Sequence, residues 1–433
     1  MRKLSKFEII AGILAPFLLP LFIYFYTFMF MLFVPSRTVN MEIEEELRRM
    51  EARGEPIGLE ELAPPPVPEE ENAAFIYQEA FKKMEELPRE IVNLLYRPLS
   101  ELTDEEKTTI EDFLNKNSET LSLIEEAISY KGCWFPVDYK KGYSVELPHL
   151  SKIRNCAYLF AIKSLWELER RNAEEAVNIS LKIMKIGEAI SSEPVLISKL
   201  IRIAIDSIMI GSLEKILREG DVSAETLKRL IDILGAHQGD IRGELKLALL
   251  GERCFFIALF QSPEKFLEGT GVDIPPERLK HFIGSRFMRS DELYGLKIYR
   301  ELIDLSELPF HQALAGSRQL EEEIEKSWEE MGFSLLKPWR LYEFHIFSMM
   351  LLPQITGIFV SWARYEAELQ EARIAAALEL YRIKHGVYPE YLSDIPPEIL
   401  SPIPVDPFTG DKFIYRREAD GFVLYSVGGE PQR

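Results

Sequence analysis

The chain has 433 residues, 47% of them hydrophobic and 28% charged, with a formal net charge of -19. That balance excludes a disordered chain and a multi-span membrane protein, and it leaves room for a large core. It also argues against nucleic acid as a partner, because displacing phosphate counterions takes clustered Lys and Arg.

Residues Ile9 to Val34 carry no charge and are almost wholly apolar or aromatic. About 20 such residues cross the hydrocarbon layer of a bilayer, whereas a cleaved signal peptide has an apolar region of only about 7–15. The stretch predicts a cytoplasmic tip and retained transmembrane anchor over 1–36. Pro16 and Pro20 would kink it, and Tyr24, Tyr26, Phe28 and Phe30 would sit at the outer interface. Arg2, Lys3 and Lys6 precede the span, while Arg37 and then Glu42 to Glu46 follow it. The positive-inside rule then places the N-terminus in the cytoplasm and the bulk outside, as a single pass through a bacterial inner membrane. The partners expected are the membrane itself and another envelope protein.

Residues 37–71 read as a charged juxtamembrane helix, Met41 to Arg53, and a linker, Gly54 to Glu71. Pro64-Pro65-Pro66 stiffens that linker, which is expected to hold the body off the bilayer. The body, 72–343, has apolar residues at helical spacing over Ala74–Glu86, Thr103–Tyr130, Leu150–Arg170, Ala173–Ile190, Val195–Leu217, Ser223–Leu234 and His237–Phe260. Thr103 with Glu106 forms a capping box, Pro194 suits a first turn, and Gly220, Asp221 and Ser223 mark a stop and a start. Trp134 to Leu147 is irregular. Ala157 to Ile190, turning at Arg171-Asn172, resembles one tetratricopeptide-like helix pair. No second copy follows at that period, and stacked repeats need about three units. The fold expected is therefore mainly α: an irregular helical bundle, with a solenoid as the alternative.

Charges interrupt two apolar helices. Arg202 and Asp206 are spaced to pair on one face. Glu244 and Glu252-Arg253 lie within the segment ending at Phe260. Two readings stand: an internal ion-pair network, or a buried carboxylate site of an envelope hydrolase. A third places an apolar ligand among Phe255, Phe256 and Phe260. The six histidines, His149, His237, His281, His311, His345 and His385, show no metal-ligand spacing. Cys133, Cys156 and Cys254 form no CxxC and no disulfide framework. Nucleophile elbow and phosphate-loop motifs are absent. No catalytic, cofactor-binding or metal residue is assigned, and no cofactor is expected.

The last segment, 344–433, opens with the apolar run Phe344 to Trp362. This reads as a core helix kinked at Pro353 or as a second membrane span. Arg364 to His385 carries an apolar stripe, Tyr365, Leu369, Ala372, Ala376, Leu380 and Ile383, and Gly386 caps it. A Pro-rich loop over Pro396 to Pro407 leads to a strand at Lys412–Arg417. Asp420-Gly421 signals a hairpin turn, and Phe422–Val427 is the partner strand. This predicts a small α+β unit.

Five blocks carry a family likeness: Ala377-Leu378-Glu379-Leu380-Tyr381-Arg382, Gly386-Val387-Tyr388-Pro389, Asp406-Pro407-Phe408-Thr409-Gly410, Phe413-Ile414-Tyr415-Arg416 and Leu424-Tyr425-Ser426-Val427-Gly428. In order and spacing they resemble the globular head of type II secretion major pseudopilins. The resemblance implies a pilin-head-like fold for the tail and a link to secretion or envelope assembly. Two departures limit it. Glu8 follows Phe7 directly with no Gly before it, so prepilin processing is not expected. Glu430 is the one carboxylate side chain after the final strand, so the family's calcium site is not carried over. The whole layout also resembles uncharacterised membrane-anchored bacterial proteins. Together these features point to a non-enzymatic scaffold or protein-interaction component outside the cytoplasm, with the hydrolase and the apolar-ligand binder as alternatives.

Overall fold

The computed structural model describes residues 22–26, 37–237, 241–264, 275–334, 345, 347, 348, 352 and 355–428. Apart from Phe22 to Tyr26, the expected anchor 9–34 lies outside these residues, as does 429–433 with the position compared for calcium. Among the described residues no helix is long and apolar enough to cross a membrane.

The chain is mainly helical, with one two-stranded antiparallel sheet near its C-terminus. The principal helices are α1 (Arg37–Ala52), α2 (Ala74–Lys83), α3 (Asp104–Lys116), α4 (Ser118–Ala127), α5 (His149–Glu169), α6 (Ala173–Glu188), α7 (Leu196–Glu219), α8 (Ala224–His237), α9 (Ile241–Gln261), α10 (Pro276–Ile283), α11 (Arg286–Ser306), α12 (Phe310–Ser334) and α13 (Ile355–His385). The sheet is β1 (Ile414–Arg417) and β2 (Phe422–Tyr425).

Helices α5, α6 and α7 pack on one another and hold the densest part of the core. Phe160, Ile162, Val177, Ile183, Ile205 and Met209 are fully buried there. The α5–α6 turn closes as a Schellman motif: Asn172 N–H donates to Glu167 O at 2.9 Å and Arg171 N–H to Leu168 O at 3.0 Å. Arg171 takes the left-handed position at φ 63°, where glycine is usual. The capping box at α3 forms, with Glu106 N–H donating to Thr103 Oγ1 and Thr103 N–H to Glu106 Oε2.

Several expectations need correction. The helix read over Thr103–Tyr130 is two helices. Asn117 sits between them, fully buried, at φ -94° and ψ 12°. Its Nδ2 donates to Phe113 O at 3.0 Å and its Oδ1 accepts from Glu85 N at 3.1 Å, so the side chain competes with the helical ladder. Pro194 precedes the N-cap of α7, Val195, and so stands outside the first turn.

Residues 37–71 do not stand off from the body. Helix α1 lies along α11 and buries Ile43 and Met50. Glu46 accepts from Arg300 at 2.5 Å, and Arg53 pairs with Asp304 at 2.6 Å. Beyond α1, Glu55 is buried against Arg253, and Leu62 is buried too. Apolar anchors and buried charges hold this segment to the body.

The run 344–362 is described in part. Ser348 is buried and its hydroxyl donates to Asp291 Oδ1 at 2.6 Å, while Asp291 also accepts from the Ser348 and Phe347 amides. Helix α13 starts at Ile355, and Phe359 and Trp362 are buried in the main core. Pro353 itself lies outside the described residues. Helix α13 packs on α8, α7 and α12, so the helix that carries the tail is also a wall of the body.

The tail beyond α13 follows from its turn residues. Gly386 ends the helix at φ 78°. The hairpin pairs Ile414 with Tyr425 and Arg417 with Phe422 across a four-residue loop, longer than the two-residue turn that Asp-Gly usually marks. Asp406 is fully buried and ties the unit together: it accepts from Phe408 N, Ser426 Oγ and Val427 N, each at 2.9 Å.

Candidate functional site

The residues singled out in the sequence do not converge. Successive helix positions are turned by about 100°, so Glu252 and Arg253 face different neighbours. Arg253 is 1% exposed and donates to Glu55 Oε2 at 2.5 Å and to Pro56 O at 3.1 Å. Glu252 accepts from Leu196 N at 3.3 Å, at the start of α7, and burial raises its pKa. Glu244 pairs with Arg202 across the α7–α9 contact. One ion pair, Arg202–Glu244, joins α7 and α9, while Arg253 pairs outside them and Glu252 accepts a backbone N–H, so the three-residue carboxylate site is not assembled. The apolar-ligand site among the phenylalanines is not assembled either. The Phe256 and Phe260 rings meet at 5.1 Å, tilted by 60°, in the main core, and Phe255 packs separately with Tyr139 and Val195.

All three cysteines are free thiols. Burial pushes the Cys254 pKa up to about 12 and raises those of Cys133 and Cys156, which disfavours the nucleophilic thiolate. His149 contacts Glu193 at 2.6 Å, and Glu193 also accepts from the Ser198 hydroxyl. The carboxylate stands between imidazole and hydroxyl, so the imidazole does not reach that serine. His345 stacks on Tyr294 at 4.0 Å, and burial lowers its pKa to about 4. Among the described residues no group of three or more His, Cys, Asp or Glu side chains could hold a metal ion.

One polar assembly stands apart. Asp206 on α7 is fully buried. Its Oδ2 accepts from Tyr365 Oη at 2.6 Å and lies 3.2 Å from His237 Nε2, which is itself 3.0 Å from Tyr365 Oη. Three helices, α7, α8 and α13, thus meet on one carboxylate. Burial and the Asp206 charge both raise the Tyr365 pKa, keeping the phenol protonated as a donor. Arg202, one turn before Asp206, pairs with Glu244 rather than with Asp206, which corrects the pairing expected from their spacing. Among the described residues Arg202 Nε has no hydrogen-bond partner.

Arg202 and His237 form part of the lining of a groove of about 1000 Å³ between α6 and α8. Its lining holds Lys131, Lys182, Lys185, Arg202 and Arg229 against two carboxylates, Glu175 and Glu188. Lys182 pairs with Glu125 at 2.7 Å and Lys185 with Glu188 at 2.8 Å. Arg229 bonds the amide of Asn178 rather than a carboxylate. Gly187 lets α6 approach α7 over this network: a Cβ there would lie 3.3 Å from Ile205 and 3.5 Å from Asp206 Oδ1. In the sequence His237 stood only among histidines without metal-ligand spacing, Tyr365 only in an apolar stripe, and of the groove cations Arg202 alone was singled out. The one signal was the Arg202–Asp206 pair inside an otherwise apolar helix. Comparison with protein-family models, curated proteins and solved structures returns no match, so the chemistry of the site is the only guide to its use.

Proposed function

We propose that this protein is a membrane-anchored, non-enzymatic interaction component, whose groove between α6 and α8 takes an acidic segment of a partner protein. The observation that carries the reading is the cationic lining of that groove on a chain of net charge -19. A protein with this overall charge repels polyanions at long range, so a local excess of cations favours a short acidic stretch. The apolar stretch 9–34 supports the anchor, and the blocks from Ala377 to Gly428 support a pilin-head-like tail and an envelope-assembly setting.

The test is a fluorescein-labelled Glu-Gly octapeptide titrated into the purified full chain by anisotropy. Saturable binding that weakens with salt is expected. Combining Lys131→Gln, Lys185→Gln and Arg229→Gln, all at exposed positions, should weaken it by about tenfold or more. Equal affinity of the triple variant, or no saturable binding, would overturn the reading. A reporter fused to Arg433 that stays inaccessible from outside intact inner membranes would overturn the topology.

A further inference from the structure

A second cavity, of about 480 Å³, lies between α5 and α7 and is independent of the cationic groove. Ala161, Leu165, Leu168, Ala204, Ile208 and Ile216 give it an apolar lining. Tyr96 also lines it, 74% exposed, and its hydroxyl meets that of Tyr158, a second lining residue. The volume falls in the range of about 300–1,000 Å³ typical of small-molecule sites.

Gly211 lines this cavity from the middle of α7. A glycine inside a helix weakens it relative to alanine. At other mid-helix glycines packing gives the reason: a Cβ at Gly187, Gly235, Gly251, Gly295 or Gly316 would lie between 1.7 and 3.3 Å from a neighbouring atom. At Gly211 a Cβ would meet nothing within 4 Å. Gly211 is itself exposed, so this chain's own packing does not require that glycine, and its bare face leaves room for a ligand lying along α7.

Two cations share the lining, Lys215 and Arg364, with one carboxylate, Glu368. Lys215 Nζ donates to Leu95 O at 3.2 Å and to Arg97 O, which leaves one of its three N–H groups. Among the described residues Arg364 has no hydrogen-bond or ion-pair partner. Glu368 accepts from Ser207 Oγ at 2.9 Å.

We propose that this cavity binds a fatty acid, its acyl chain on the apolar lining and its carboxylate on Lys215 and Arg364. The partial enclosure and apolar lining suit a single hydrocarbon chain, and the paired cations suit an anionic head.

The experiment uses the full chain in phosphatidylcholine nanodiscs and a diazirine-bearing dodecanoate. After irradiation, the labelled peptides are mapped by mass spectrometry. Labelling of α5 and α7 between 158–168 and 204–216 is expected, and excess dodecanoate should displace it. Gly211→Leu should abolish labelling with the melting temperature held or raised, and Arg364→Gln should cut it by about tenfold. Labelling elsewhere, or a folded Gly211→Leu chain labelled as strongly as the parent, would overturn the proposal. Displacement by phosphatidylglycerol but not by dodecanoate would overturn the choice of a free fatty acid.

Discussion

Arg253 shows how one buried charge fixes a chain segment. It is 1% exposed, and its Glu55 partner, 198 positions away, is 8% exposed. Removing one member of such a pair leaves the other desolvated and unpaired, at a cost of about 3–5 kcal/mol. Glu55→Ala is therefore expected to destabilise the chain by that order in denaturant unfolding. The double replacement Glu55→Leu with Arg253→Met should recover much of the loss, because an apolar pair of similar volume removes the desolvation problem. A single-variant loss below ~1 kcal/mol would mean that the segment is not held by this pair. The sequence marked Arg253 as a charge inside an apolar run but could not name its partner. Local spacing reports neighbours within one turn, and the same limit misassigned Arg202 to Asp206. Arg202's partner, Glu244, lies on α9, and those of Asp206 lie on α8 and α13.

At the scale of elements, helices were readable because apolar residues recur at three- and four-residue spacing, even where α5 and α9 bury consecutive residues on every face, 159–162 and 253–257. The apolar spacing located α5, α6, α7, α9 and the later part of α13 to within a few residues. Asn117 was missed because a fully buried asparagine can be accommodated through its own hydrogen bonds, and the apolar spacing runs on across it. The stretch 54–71 looked like a spacer because prolines exclude regular structure, but composition says nothing about what an extended chain packs on. Element crossings also set a prediction. A Cβ at Gly251 would fall 1.7 Å from Pro194 O, where α9 crosses the entry to α7. Gly251→Ala must push backbone apart and is expected to cost ~1–3 kcal/mol or more. Gly211→Ala, with open space around its Cβ, should hold stability or raise it by up to ~1 kcal/mol. Denaturant midpoints of the two variants check the contrast, and equal behaviour would contradict the close approach of α9 to Pro194.

For the molecule as a whole, carboxylates shifted in opposite directions set opposing pH limits. Burial, opposed by Arg289 and assisted by Asp291, raises the Glu292 pKa to about 7. Burial likewise raises Glu371 to about 7, beside Glu368 and Asp406. A carboxyl group with a raised folded-state pKa binds its proton more tightly when folded. Its contribution is fully present below the unfolded value of ~4.3 and is lost as pH rises through the folded value near 7. Glu106, Glu125 and Glu174 are shifted the other way by hydrogen bonds and cations, although burial opposes the shift. Their contribution is present above the unfolded value and lost as pH falls through their lowered pKa. Stability should therefore decline on the alkaline side between about pH 4.5 and 7 through Glu292 and Glu371, against a separate loss in stronger acid. Glu292→Gln mimics the protonated side chain and has nothing to titrate. Relative to the parent, it should lose less stability between pH 5 and pH 8, by an amount on the order of 1–3 kcal/mol. Melting temperatures of both chains across that interval give the comparison. Parallel curves would show that Glu292 already ionises at ordinary acidity, held by Arg289 against its burial.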